Sequence, residues 1–271
     1  MNNLPPEIID NHILPLLDGV TLTALSSVSS EYRRMIINKD ELWKNICAST
    51  WPFSLPDINS FVSTFPGGYR SFFSDVFPSL HSSNNNNSQS QVHSIDHPPM
   101  CILHLIDMYL EGESHPRFSM SKSTVVESNS NAHGYCAFPH LLHVYIPGNK
   151  ELWMDYFQDN LRLNWIVINE TQNCARSLFG PSSKPVSIKR TSNTIEVVCE
   201  NVMLGQCKDY TEMVKCYMKV KITCNLDSNY NGRNKGRLEV GMEDMNGKRV
   251  LARHANMIIL NAILNGERKK F

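Results

Sequence analysis

Apolar residues recur every three or four positions near the start of the chain, a spacing that predicts short helices. Pro6 suits the first position of a helix, and Asp18-Gly19 supplies a stop. Pro15 lacks an N–H and disfavours helical backbone at Leu14, so we expect a kink or an early helix end there. The apolar positions of this first segment are Ile8, Ile9, Ile13, Leu16 and Leu17.

Three further helices are predicted before residue 50, each beginning at a residue that can cap a helix N-terminus. The expected caps are Thr21, Ser30 and Asp40. The apolar positions that follow them are Leu22, Leu25 and Val28, then Tyr32, Met35 and Ile36, then Leu42, Trp43 and Ile46. Residues 1–50 therefore predict a small bundle of short helices.

Residues 51–79 predict two connecting helices with aromatic stripes. The pattern breaks at Pro66-Gly67-Gly68 and has helical spacing on both sides. Its apolar positions are Ile58, Phe61, Val62 and Phe65, then Tyr69, Phe72, Phe73, Val76 and Phe77. We expect this stripe to pack the helical module against the rest of the chain.

Residues 80–99 change character and predict a flexible linker or a surface loop. The run from His81 to Gln91 consists of His, Ser, Asn and Gln, and has no apolar side chain to bury. Such a segment cannot offset the entropy that ordering it would cost. The domain boundary is therefore placed here, with a β-rich domain over residues 100–271.

Beyond residue 100 the apolar period shortens to two, which predicts strands. The run Val214 to Cys224 alternates apolar and polar residues, and Asn246-Gly247 is typical of a tight turn leading back into Arg249-Val250-Leu251. Two runs, Cys101 to Leu110 and Leu163 to Ile168, are apolar on both faces and predict central strands. Further strand candidates are 134–138, 141–146, 175–179, 186–190, 194–199 and 238–242.

A helical pattern returns only near the end, from Met257 to Leu264. The expected fold class is α+β: an N-terminal helical bundle, then an antiparallel sandwich or strongly curved sheet with a C-terminal helix. Helices do not alternate with strands, so no Rossmann-type nucleotide site is expected. The sequence has no internal repeat, which argues against propellers and solenoids.

Composition narrows the classes of partner. The 26 basic and 26 acidic residues balance, and no basic run tracks a phosphate backbone, so no nucleic-acid partner is expected. Charges interrupt the first apolar run and no stretch is long enough to cross a bilayer, so we expect no signal peptide and no membrane association. The eight cysteines form no Cys-x-x-Cys pair. We expect reduced thiols and a cytoplasmic or nuclear protein.

The sequence supplies no catalytic constellation. The pair His140 and His143 lies in a predicted strand, where that spacing sends the two rings to opposite faces. Signatures of serine hydrolases, phosphate loops and zinc proteases do not occur. Asp155, Asp159 and Glu170 near Trp153 and Trp165 could line a sugar-binding groove, although tryptophans are more often core residues. We therefore expect no catalytic residue, no metal site and no cofactor.

Residues 4–47 resemble an F-box in both the order and the spacing of their residues. The matching positions are Leu4-Pro5, Glu7, Ile13-Leu14, Leu17 before Asp18-Gly19, Leu22 and Leu25, Val28-Ser29, Tyr32-Arg33 and Leu42-Trp43. The sequence departs from the pattern at Tyr32, where Trp is commoner, and at Pro15. Shorter strings are similar to a plant F-box subfamily whose C-terminal domain has no assigned ligand: Trp51-Pro52, residues 66–73, 163–168 and 243–247.

The resemblance implies a non-catalytic subunit of a Skp–cullin–F-box (SCF) ubiquitin ligase. Its helices would bind a Skp-type adaptor, which bridges to a cullin scaffold, and the β-rich domain would recruit an unidentified target protein. The expected exposed anchors are Leu4, Pro5, Ile8, Leu14 and Leu17. Leu25, Val28 and Tyr32 would serve both docking and structure. The alternative is a β domain that binds a small molecule or glycan and is coupled to degradation by the F-box.

Overall fold

The computed structural model describes most of the helical module and most of the strands of the β-rich region. The described residues are 4–51, 55–77, 100–110, 118–126, 137–145, 158–180, 183, 185–191, 194–205, 207, 209–223 and 233–265. The predicted linker at 80–99 lies outside them, and its flexibility and the domain boundaries stay predictions.

Six α-helices are present in the described part of the N-terminal module. They are α1 (Pro6–Ile8), α2 (Gly19–Val28), α3 (Ser30–Ile37), α4 (Asp40–Thr50), α5 (Leu55–Val62) and α6 (Gly68–Val76). Buried aromatic rings hold them together: Trp51 meets Phe72 edge to face, with ring centroids 5.8 Å apart. The aromatic stripe of α5 and α6 therefore serves packing, as predicted.

The backbone around Pro15 changes geometry as the sequence predicts. After α1 the chain forms a π-helical turn (Ile9–Ile13) and a 3₁₀ turn (Leu14–Leu16), and becomes extended at Leu17. The early helix end follows because Pro15 cannot donate a backbone hydrogen bond. The expected loss of helical backbone at Leu14 is wrong: its φ and ψ are −56° and −39°.

None of the three predicted residues is the N-cap of its helix. Asp18 Oδ1 caps α2 by accepting from the Thr21 backbone N at 2.7 Å. Ser29 Oγ, and not that of Ser30, caps α3 by accepting from the Tyr32 backbone N at 3.4 Å. Asp40 is the first residue of α4, and its Oδ1 accepts from the backbone N of Tyr69 at 3.2 Å. At α2 and α3 a polar residue three places and one place upstream of the predicted cap serves instead, and sequence spacing alone does not choose between such neighbours.

Nine described strands form two antiparallel sheets. They are β1 (Met100–Leu110), β2 (Phe118–Val126), β3 (Ala137–Tyr145), β4 (Leu161–Asn169), β5 (Cys174–Phe179), β6 (Ser187–Arg190), β7 (Thr194–Leu204), β8 (Met213–Thr223) and β9 (Arg233–Asp244). The first sheet has the order β2-β1-β4-β5 and the second β3-β9-β8-β7-β6. A C-terminal helix, α7 (Ala252–Asn265), follows. The α+β prediction is confirmed.

The two strands that are apolar on both faces lie at the centre of the first sheet, as predicted. β1 and β4 pair with each other, and Ile106 lies opposite Trp165 in their register. One face of this sheet joins the second sheet and α7 in a common core, and the other face packs against the helices. Both faces are therefore covered, which explains why the sequence does not alternate there.

Some strand predictions need correction. The described parts of the candidates 134–138 and 141–146 belong to one strand, β3, whose register with β9 shifts between Phe138 and Leu141; residues 134–136 and 146 lie outside the described residues. Strand β2 was not predicted, because serines fill much of it and only its pairing with β1 identifies it. The turn at Asn246-Gly247 forms, with Gly247 at φ +80°. Its return segment is a single bridge between Glu243 and Arg249, because α7 begins at Ala252.

Candidate functional site

The first 25 described residues expose several large apolar side chains. Leu16 is 83% exposed, Val28 78%, Leu4 54%, Val20 51% and Ile8 42%. Exposed apolar side chains are ordinary when scattered, but a concentrated group on a small module indicates an interaction surface. We call these five residues the apolar surface of the module.

Helix α2 shows how this surface arises. Val20, Ala24 and Val28 are spaced by four residues, so they share one face, and all three are exposed. Leu22 is fully buried on the inward face. The helix contains no charged residue, whereas the outward face of a helix in solution is usually charged or polar. Its outward face is therefore suited to contact with another protein.

The N-terminus of α2 is held tightly against α6. A Cβ added at Gly19 would lie 2.2 Å from Cζ of Phe73, so the glycine permits a close approach that another residue would prevent. The Asp18 cap precedes it, and the hydrogen bond from the Thr21 backbone N lowers the pKa of the Asp18 carboxyl. These contacts fix the direction in which Val20, Ala24 and Val28 point.

The eight residues predicted for adaptor binding fall into three groups. Leu4, Pro5, Ile8 and Val28 are exposed. Leu17, Leu25 and Tyr32 are half-buried and pack against the core of the module. Leu14 is fully buried in that core, so the expectation that it is an exposed anchor is wrong. The 3₁₀ turn directs Leu14 inward and Leu16 outward.

Sequence reasoning missed Leu16, Val20 and Ala24 as surface residues. The four-residue spacing of Val20 and Ala24 on α2 was visible, but spacing alone does not say which face the rest of the protein covers. The absence of charge from residues 19–28 was the available signal.

Charged side chains of the module interact at two places. Asp10 and Lys39 form an ion pair that ties the π-helical turn to the residue before α4. Burial lowers the pKa of Arg70, and the nearby Arg33 guanidinium lowers it further. Arg70 remains cationic at neutral pH because the ordinary pKa of an arginine is far higher.

No group of three or more His, Cys, Asp and Glu side chains suited to a metal ion occurs among the residues that the structure describes. Several cysteines are buried thiols, and burial raises the pKa of Cys199 to about 12. Such a thiol is protonated at neutral pH and is a poor nucleophile.

Trp165 is not available to line the possible sugar-binding groove. Trp165 is fully buried, stacks on Phe179 with ring centroids 6.2 Å apart, and donates from Nε1 to Nδ1 of His104 at 3.2 Å. It is a core residue. Trp153 and Asp155 lie outside the described residues, and Asp159 is exposed. His140 and His143 lie in β3, a strand as predicted, and nothing further is described for their side chains.

Within the described part of the chain, no helix is both long and apolar enough to cross a membrane.

A small helical module with an apolar surface, joined to a larger β-rich region, has the organisation that the F-box resemblance predicts. Three proteins of Arabidopsis thaliana support this class. One, named an F-box protein, is 27% identical over 285 residues, covering 99% of this chain and 80% of its own length. A second F-box protein is 29% identical over 73% of this chain and 54% of its own. A third, named a probable F-box protein, is 26% identical over 97% of this chain and 74% of its own.

The chain is thus a relative of plant F-box proteins, and the similarity extends through the β-rich region as well as the N-terminal module. The relationship indicates a role as an F-box component. No protein-family model matches the chain. No solved structure matches it.

Proposed function

We propose that this protein is a substrate-recruiting subunit of an SCF-type ubiquitin ligase. Its helical module binds a Skp-type adaptor, the adaptor links it to a cullin scaffold, and the β-rich region binds a target protein. The observation that carries the proposal is the apolar surface, Leu4, Ile8, Leu16, Val20 and Val28, on the module that resembles an F-box.

The contribution of such a subunit to catalysis is proximity. Holding a target beside the charged conjugating enzyme raises the effective concentration of target lysines near the thioester. No residue of this chain needs to contact the reacting atoms. This account is consistent with the buried thiols of Cys47, Cys174, Cys199, Cys207 and Cys216. We propose that it works in the cytoplasm or the nucleus, where a Skp-type adaptor would be available.

The proposed interface has a physical scale. Stable protein–protein interfaces bury roughly 1,200–2,000 Å² in total, and a few central apolar side chains dominate the binding energy. Leu16 and Val28 are the most exposed of the five surface residues and are the best candidates for such anchors.

The test measures the affinity of the purified full chain for a Skp-type adaptor by isothermal titration calorimetry. The Leu16→Ala/Val28→Ala double variant is expected to lower affinity about 30- to 700-fold, because two truncated anchors at roughly 1–2 kcal/mol each remove roughly 2–4 kcal/mol of binding free energy. Val186→Ala/Leu204→Ala is the matched control, since these two side chains are also exposed but belong to the β-rich region. Unchanged adaptor affinity in the first variant would contradict the proposed interface.

A further inference from the structure

The helical module and the first sheet share one apolar core. Phe72 and Val76 of α6 belong to the same buried cluster as Leu105 of β1 and Ile166 and Ile168 of β4. All five side chains are fully or almost fully buried. Separating the module from the sheet would expose this apolar surface to water, so contact holds the two parts together.

A buried ion pair accompanies this core at the edge of the sheet. Arg176 of β5 donates from Nη1 to the backbone O of Asp75 in α6 at 2.9 Å, and also approaches Asp75 Oδ1 at 3.5 Å. The same nitrogen donates to the backbone O of Ala175 at 3.0 Å. The two side chains are only 4% and 10% exposed.

The hydrogen bonds of Arg176 restrict the relative orientation of α6 and β5 in a way that the apolar core does not. Burial of apolar surface opposes separation of the two parts, but it is not directional and so restricts their relative orientation less sharply than a hydrogen bond does. Hydrogen bonds from a guanidinium to a backbone carbonyl are directional, and few positions of the partner satisfy them. The pair can therefore fix the orientation of α6 on β5 in a way that the apolar cluster alone does not.

We propose that Arg176 and Asp75 are positioning residues that fix the orientation of the helical module on the sheets. The significance of this rests on the proposed function, because a fixed orientation would present the bound target at a constant distance and angle from the adaptor. The orientation itself is a property of the free chain and can be measured without any partner.

The arrangement also restricts where a target can bind. The face of β1 and β4 that carries Leu105 and Ile166 is covered by the helices, and the face that carries Ile106 and Trp165 lies in the core with the second sheet. A target that leaves the fold intact must therefore bind away from the faces of these two strands.

The experiment measures the distance distribution between two labels on the full chain by double electron–electron resonance. Non-natural amino acids replace the exposed residues Glu31 of α3 and Lys221 of β8 and carry the spin labels, which avoids the eight native cysteines. The unaltered pair is expected to give one narrow distribution. Arg176→Met is expected to broaden it at least twofold at temperatures well below unfolding, and Arg176→Lys, which keeps one charged donor, is expected to restore part of the narrowness.

Two further variants keep the result interpretable. Arg249→Met removes the partly exposed ion pair with Glu239 on the second sheet and is expected to leave the distribution unchanged. Asp75→Asn/Arg176→Met removes both charges, so that no lone carboxylate stays buried, and should also broaden the distribution. A broad distribution without substitution, or narrow ones in both folded Arg176→Met variants, would overturn the proposal. Adaptor affinity is measured separately, so failure of the proposed function would appear there instead.

Discussion

The helical module and the two sheets distribute their apolar side chains differently. Five large apolar side chains are exposed between residues 4 and 28, whereas the large apolar side chains that the structure describes in the β strands are almost all buried. Among the described side chains of the β-rich region, the exposed large apolar ones lie at or next to element ends: Val186 before β6, Leu204 at the end of β7, Met245 just after β9, and Leu264 near the end of α7.

This difference indicates which region needs a partner to cover its apolar side chains. The sheets satisfy their apolar faces within the chain, through each other, α7 and the helices. The module buries one face against the first sheet and leaves another in water, a costly arrangement unless a partner covers it. The three predictions below test this contrast, in order of decreasing effect.

The largest effect is expected at Leu14, which is buried in the core, whereas Leu16 in the same 3₁₀ turn is exposed. Leu14→Ala should lower the free energy of unfolding by about 2–5 kcal/mol, because truncating this fully buried side chain leaves a cavity in the core. Leu16→Ala should change it by less than about 0.5 kcal/mol. Urea unfolding followed by circular dichroism measures both, and equal losses would remove the distinction between core and surface.

An intermediate effect is expected at Gly241, inside the second sheet. An added Cβ would lie 2.6 Å from Oη of Tyr217, whose ring crosses this glycine, so Gly241→Ala should cost about 1–3 kcal/mol. The cost should fall sharply in a Tyr217→Ala background, which removes the clash. A double-mutant cycle checks this coupling, and additive losses would show that the ring does not set the cost.

The smallest effect is expected at the Asp18 cap of α2. Asp18→Ala should cost about 1 kcal/mol at neutral pH, whereas Asp18→Asn should cost less because the amide oxygen also caps a helix. The folded pKa of Asp18 lies below its ordinary 3.8, so its charge stabilises the fold above that value and stops doing so as the pH falls through the folded pKa. Unfolding experiments at pH 7 and pH 3 check that the gap between wild type and Asp18→Ala narrows in acid.

Much of the fold could be predicted because local patterns carry it. The apolar runs of β1 and β4 identified central strands, the alternation of β8 identified a two-sided strand, and Pro15 identified an early helix end. Each of these signals reports on neighbours along the chain. Strand β2 escaped because its serines have little preference for strands, and only its pairing with β1 decides its structure.

The candidate site could be predicted only in part, for a related reason. Periodicity gives the apolar positions of a helix, but the face that becomes buried depends on residues far away in sequence. Leu14 is buried in the cluster that also includes Ile166, about 150 residues later, and Leu16 is left in water. The resemblance pointed to residues 4–47 as the candidate site, and tertiary packing decided which of its leucines are exposed.

The central claim is that the exposed apolar residues of the module contact a Skp-type adaptor. Its most direct test is site-specific photocrosslinking, with a photoreactive amino acid placed at position 16, 28 or 204 of the full chain and purified adaptor added. The account predicts crosslinks to the adaptor from positions 16 and 28 and none from position 204, which is exposed in the β-rich region. Crosslinking from position 204 alone, or from no position while the adaptor still binds, would contradict it.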